Sequence, residues 1–172
     1  MATSAPLSRR DFLERAGTLT AGLVIAIHLP GVERWSALGA SDPEPFAPNA
    51  WLRISADDSI LVLVDRSEMG QGVATSLPML VAEELEADWS KIRIEFAPAA
   101  KEYANRIFGT QGTGGSTSIR AAFTPMRQAG AAAREMLVAA AAATWGVDRD
   151  TCRAEKGAVI DTKGGRRVTY GA

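Results

Sequence analysis

The sequence predicts an α+β domain, a mixed sheet with two helices, preceded by an export signal. Three observations carry this. Residues 60–64, Ile-Leu-Val-Leu-Val, form an unbroken aliphatic run, the pattern of a strand buried on both faces. Over residues 73–87 the apolar positions shift to helical spacing, and an alanine-rich helix later extends to about Trp145. Between these segments Ile92, Ile94 and Phe96 alternate with Arg93, Glu95 and Ala97, which predicts a half-buried strand.

At the N-terminus, Ser8-Arg9-Arg10-Asp11-Phe12-Leu13 precedes an apolar stretch reaching Leu29, and small residues follow at 37–40. This is the layout of a twin-arginine export signal over residues 1–40, and it predicts a periplasmic location. Such signals address cargo that folds before crossing, often because a cofactor is inserted first. The competing reading is an amphipathic helix capped by Ser8. Residues 16–29 are about half to two-thirds of a membrane span and include Gly17, Thr18, Thr20 and Gly22. A retained anchor, and with it membrane association, therefore stays open. His28, the only histidine, reads as incidental.

Residues 41–49 hold three prolines and read as an extended linker. Residues 50–172 then form one modest domain. The chain carries a formal charge of -1 and has no basic run, so nothing points to nucleic acid. Cys152 is the single cysteine. It can form neither an internal disulfide nor a cysteine-built zinc or iron–sulfur site, and it reads as a small core residue.

The domain opens with strands at 51–56 and 60–65, joined by Asp57-Asp58-Ser59. In the first helix Leu77, Leu80, Val81 and Leu85 form the apolar stripe, and Pro78 falls near the first turns. In the second helix Pro125 either starts the regular part or kinks it, with Thr124 available as a cap. Arg120, Arg127 and Arg134 recur every seven residues and read as a solvated face rather than a partner- or phosphate-binding stripe. Short strands at 152–155 and 158–161 follow, and residues 168–170 begin another.

Two glycine loops each open a helix. The first is Glu68-Met69-Gly70-Gln71-Gly72. Its glycines allow sharp turns and close backbone approach, and the helix start behind it is expected to offer unpaired N–H groups to an anion. Gln71 adds an amide that both donates and accepts. The second is Gly109-Thr110-Gln111-Gly112-Thr113-Gly114-Gly115-Ser116-Thr117. It lacks the Gly-Lys-Ser/Thr ending of a Walker loop, and Thr117 replaces the third glycine of a dinucleotide fingerprint. Each loop alone also fits a plain turn. Together they suggest a shared crevice for an anionic, heteroatom-rich ligand.

The Glu68–Gly72 motif, the helix after it, and Gly112-Thr113-Gly114-Gly115-Ser116 leading into an Ala/Arg-rich helix resemble the molybdenum hydroxylase large subunits. These form the xanthine dehydrogenase and aldehyde oxidase superfamily. The twin arginine and Pro48-Asn49-Ala50-Trp51-Leu52-Arg53-Ile54 point to the exported branch, that of isoquinoline 1-oxidoreductase β subunits and membrane-associated aldehyde dehydrogenases. The resemblance covers nearly the whole chain. It implies the N-terminal portion of a molybdopterin-binding domain and a molybdopterin cofactor with molybdenum, in the cytosine dinucleotide form. Gly70, Gln71 and Gly72 would contact the cofactor from one side, and Thr113, Gly114, Gly115, Ser116 and Thr117 from the other. Molybdenum would be held by the pterin sulfurs, so no protein metal ligand is expected.

The implied reaction hydroxylates N-heterocycles or oxidises aldehydes with oxygen from water. Electrons would leave through a small partner subunit carrying [2Fe-2S] clusters, and a cytochrome c acceptor is a further expectation. Family subunits are several times longer, and their catalytic glutamate lies in a far C-terminal motif that these residues lack. Neither Glu68 nor Glu83 takes that role, and no residue is assigned as catalytic. The chain is therefore expected to be a fragment, inactive alone. The alternative is a self-standing periplasmic binding module for an anionic ligand.

Overall fold

The computed structural model describes residues 23–25 and 51–172. The proline-rich linker and all of the expected signal except residues 23–25 lie outside the described residues. The elements are β1 (Leu23–Ile25), β2 (Leu52–Ile54), β3 (Ile60–Val64), α1 (Val73–Leu85), β4 (Ile92–Phe96), α2 (Thr117–Trp145), β5 (Cys152–Glu155), β6 (Ala158–Asp161) and β7 (Arg167–Thr169). The first four strands form a sheet in sequential order, with β1–β2 and β2–β3 antiparallel and β3–β4 parallel. The expected mixed sheet and two helices are present. The strand β1 was not expected. Its Leu-Val-Ile sequence suits a strand, and it lies within the apolar run read as part of the signal.

The β2–β3 hairpin closes through the Ser55 N–H, which donates to the Ser59 carbonyl at 2.9 Å. The Asp57 carboxylate accepts from both the hydroxyl and the N–H of Ser59, at 2.6 and 3.0 Å. All five residues of β3 are buried, as the unbroken aliphatic run predicts. A parallel partner needs a long crossover, and α1 supplies it between β3 and β4. Val73, Leu77, Val81 and Leu85 recur every four residues, so they share one face, which is buried. The helix stops at Leu85 rather than at 87. Glu86 turns left-handed at φ 54°, and the Glu86 and Ala87 N–H groups return to the last-turn carbonyls.

Two expectations fail on tertiary context. The strand β4 is exposed along most of its length rather than half-buried. It is the sheet edge, and no described element covers Ile94 or Phe96. The helix α2 runs unbroken through Pro125, with Thr124 in its interior and Ser116 at the cap position. Ala122 and Met126, on either side of the proline, are both buried, and this packing overrides the local cost of proline.

The two helices meet closely at Gly130, where an added Cβ would sit 2.4 Å from the Val81 carbonyl oxygen. Arg127 and Arg134 both reach Glu84 on α1, the first through Nε at 2.7 Å. Two of the three spaced arginines thus also tie the helices together through Glu84, while Arg120 and Arg127 stay exposed as the solvated-face reading expects. The antiparallel β5-β6-β7 sheet joins the same core through Val159 and Tyr170. The Tyr170 hydroxyl donates to the Leu85 carbonyl at 2.6 Å. Among the described residues no helix is long and apolar enough to cross a membrane.

Candidate functional site

The parallel pair β3–β4 ends on a cleft of about 1100 Å³. Such crevices beyond the carboxyl ends of parallel strands are the usual ligand sites of sheets crossed over by helices. Val64, Asp65 and Arg66 line it from the end of β3, and Phe96 and Ala97 from the end of β4. Ser67 and Glu68 of the first loop, Gly109 to Thr113 of the second, and Lys101 complete the wall.

The first loop satisfies much of its own backbone through two of its side chains. One Glu68 carboxylate oxygen accepts the N–H groups of Gly70 and Gly72 at 2.8 and 3.0 Å, and the other accepts that of Ala74 at 2.9 Å. The Ala74 N–H, followed by that of Gly72, holds the exposed Glu68 carboxyl below its usual range. Gln71 Oε1 accepts from the Met69 N–H, and its Nε2 donates to the Ser67 carbonyl at 2.7 Å. The unpaired N–H groups expected at the start of α1 are therefore partly occupied. A glutamate two residues before the first glycine reaches back over the turn, a contact that the glycine spacing alone does not reveal. Gly70 and Gly72 adopt φ 94° and 80°, the left-handed conformations that place Glu68 over these N–H groups.

The second loop is organised differently. Asn105, fully buried, donates through Nδ2 to the Thr117 hydroxyl at 2.8 Å and accepts the Ile107 N–H at 3.0 Å. Its main chain pairs with Thr110 and accepts from Phe108 and Gly109. The Thr117 hydroxyl donates in turn to the Gly114 carbonyl at 2.8 Å. Within this frame the N–H groups of residues 112–116 bond to no other described residue. No side chain caps α2. This run of free donors beside a helix start suits an anionic ligand rich in acceptor atoms.

The structure brings the two loops together at one point, where the Ser67 N–H donates to Thr113 Oγ1 at 2.8 Å. Of the expected site residues, Thr113 lies on the cleft wall. Gly70, Gln71 and Gly72 are exposed in the first loop, off the wall. Gly114, Gly115 and Ser116 sit at the entry to α2, with Gly115 and Ser116 left-handed at φ 57° and 53°. Thr117 is buried, and its hydroxyl is engaged within the protein.

Sequence reasoning missed Asp65, Arg66, Lys101 and Asn105. Asp65 and Arg66 form a buried ion pair at the end of β3. Asp65 Oδ1 and Arg66 Nε have no hydrogen-bond partner among the described residues. Burial pushes the Asp65 carboxyl up, and the Arg66 charge opposes the shift. The available signal was a charged pair directly continuing a fully apolar strand. Among the described residues no group of three His, Cys, Asp or Glu side chains is placed to hold a metal.

Residues 8–172 match the family described as the molybdopterin cofactor-binding domain. The chain is 39% identical over 167 residues to the beta subunit of isoquinoline 1-oxidoreductase from Brevundimonas diminuta, covering 96% of this chain and 21% of that protein. It is 35% identical over 170 residues to a membrane-bound aldehyde dehydrogenase (pyrroloquinoline-quinone) of Gluconacetobacter polyoxogenes, covering 97% and 21%. The chain thus spans about a fifth of the length of these curated relatives. The crystal structure of quinoline 2-oxidoreductase from Pseudomonas putida 86 superposes with a TM-score of 0.54 at 19% identity, covering 70% of this chain and 15% of that one. These matches do not favour a self-standing binding module. The resemblance to the molybdenum hydroxylase large subunits holds, and the chain belongs to the molybdopterin cofactor-binding domain family.

Proposed function

We propose that this chain is the N-terminal part of an exported, molybdopterin-dependent oxidoreductase subunit that hydroxylates N-heterocycles or oxidises aldehydes with water-derived oxygen. The observation that carries the reading is the cleft at the carboxyl ends of β3 and β4, bordered by free N–H groups of the second loop, in a chain of this family. The residues fit the group. A cytosine dinucleotide form of molybdopterin is anionic and rich in acceptors, and residues 112–116 present donors without a side chain in the way at Gly112, Gly114 and Gly115. Gly70, Gln71 and Gly72 flank it from the first loop, and Gln71 retains one N–H and one lone pair beyond its contacts to the loop. Thr117 holds the second loop in shape from beneath. When bound, the cofactor would supply the metal-centred oxidation and oxygen transfer. This chain's own residues bind and orient it.

A small subunit with [2Fe-2S] clusters receives the electrons in this reading, with a cytochrome c as a further acceptor. The pyrroloquinoline quinone in one relative's name defines the contrasting cofactor. The test is to measure molybdenum and cytosine nucleotide in Gln71→Ala and Gly115→Val versions of the full-length subunit. Gln71→Ala should fall about ten- to a hundredfold in cofactor affinity, the scale of one charge-assisted hydrogen bond, and Gly115→Val should also lose cofactor because a side chain there obstructs backbone approach. Wild-type content in both folded variants would remove the loops from the cofactor site.

A further inference from the structure

We propose that Glu68 is the positioning residue of the first glycine loop: its carboxylate fixes the loop in its binding shape before any ligand arrives. The role rests on the proposed function for what the loop holds, though not for the clamp itself. Three backbone N–H groups, those of Gly70, Gly72 and Ala74, converge on the two Glu68 oxygens at 2.8 to 3.0 Å. Two of these donors belong to left-handed glycines, the residues with the most conformational freedom to lose. No other side chain of the described residues binds these N–H groups.

Gln71 then braces the opposite side of the loop through Met69 and Ser67. Ser67 passes the constraint to Thr113 of the second loop. Glu68 also stands on the cleft wall. Its removal therefore loosens the segment that holds Gln71 to Ser67 at the cleft wall, while the hydrophobic core is untouched, since Glu68 is exposed.

The experiment uses the full-length subunit with Glu68→Ala, Glu68→Gln and Glu68→Asp. The first readout is amide hydrogen exchange across residues 67–75 in the cofactor-free protein. Exchange there should rise about tenfold or more in Glu68→Ala, with exchange in β3 and α2 unchanged. Glu68→Gln keeps the length and one acceptor oxygen, so it should recover part of the protection, and Glu68→Asp, one methylene shorter, should recover less. The second readout is retention of molybdenum and pterin on dialysis, which should follow the same order.

Equal exchange over residues 67–75 in wild type and Glu68→Ala overturns the clamp, whatever the cofactor content. Raised exchange in a protein whose wild type carries no molybdenum supports the clamp and refutes the proposed function. If Glu68→Ala does not fold, Glu68→Gln decides: wild-type exchange in it, with the charge gone and two N–H groups still acceptable to one oxygen, overturns a role for the carboxylate.

Discussion

The Thr113 hydroxyl accepts the Ser67 N–H at 2.8 Å, across 46 positions of sequence. It couples a loop braced by its own side chains to one whose N–H groups at residues 112–116 are free among the described residues. Thr113→Val keeps the shape and removes the acceptor. Loss of one neutral hydrogen bond costs about 0.5–1.5 kcal/mol, so the fold should survive. Exchange of the Ser67 amide should accelerate while that of Gly70 and Gly72 stays slow. An unchanged Ser67 rate would show that the loops are not coupled there.

Asn105 should matter more than its loop setting suggests. It is fully buried and binds Thr117 and Ile107 with its side chain. Asn105→Ala removes the acceptor of the Ile107 N–H and the donor to the Thr117 hydroxyl, which keeps its bond to the Gly114 carbonyl, at about 0.5–1.5 kcal/mol for each hydrogen bond lost. Urea unfolding should show a clear loss of stability, and the variant should lose order across residues 109–117. Substitution without loss of stability would contradict this role.

The Asp65–Arg66 pair predicts strong non-additivity. Removing either partner leaves a buried charge uncompensated and should cost about 3–5 kcal/mol, whereas Asp65→Leu with Arg66→Met should cost far less. The Asp65 carboxyl is raised in the fold, so the folded state holds that proton to higher pH than the unfolded chain. Its contribution to stability is therefore largest below the ordinary carboxylate range and declines as pH rises through the folded value. Unfolding free energies of wild type and the double variant, compared across acid pH, should differ in this direction. A difference that grows in favour of wild type with rising pH would contradict it.

The proposed export by the twin-arginine route rests on Arg9 and Arg10. In a full-length context, replacing both with lysine should leave folded protein in the cytoplasm. Unchanged periplasmic yield would defeat the assignment.

The fold was legible where one pattern dictates one outcome. The unbroken Ile60–Val64 run is a two-sided buried strand, and the helical stripe of Leu77, Leu80, Val81 and Leu85 is the packed face of a helix, with Leu80 at its half-buried edge. Alternation in β4 gave the strand but not its burial, because period says nothing about whether an element lies over the strand. Pro125 does not start the regular part of α2, because the packing of Ala122 and Met126 carries the helix through it. At the site, glycine spacing located both loops. The Glu68 clamp was hidden because it depends on two left-handed glycines in close succession, and the role of Asn105 was hidden because its partners come from both sides of a loop.

The central claim is that the cleft beyond β3 and β4 belongs to a molybdopterin site. The most direct measurement is the molybdenum, pterin and quinone content of the wild-type full-length subunit, purified from a molybdenum-replete host. Stoichiometric molybdenum with a pterin cytosine dinucleotide is the predicted result, and pyrroloquinoline quinone without molybdenum, or neither cofactor in the folded protein, would contradict it.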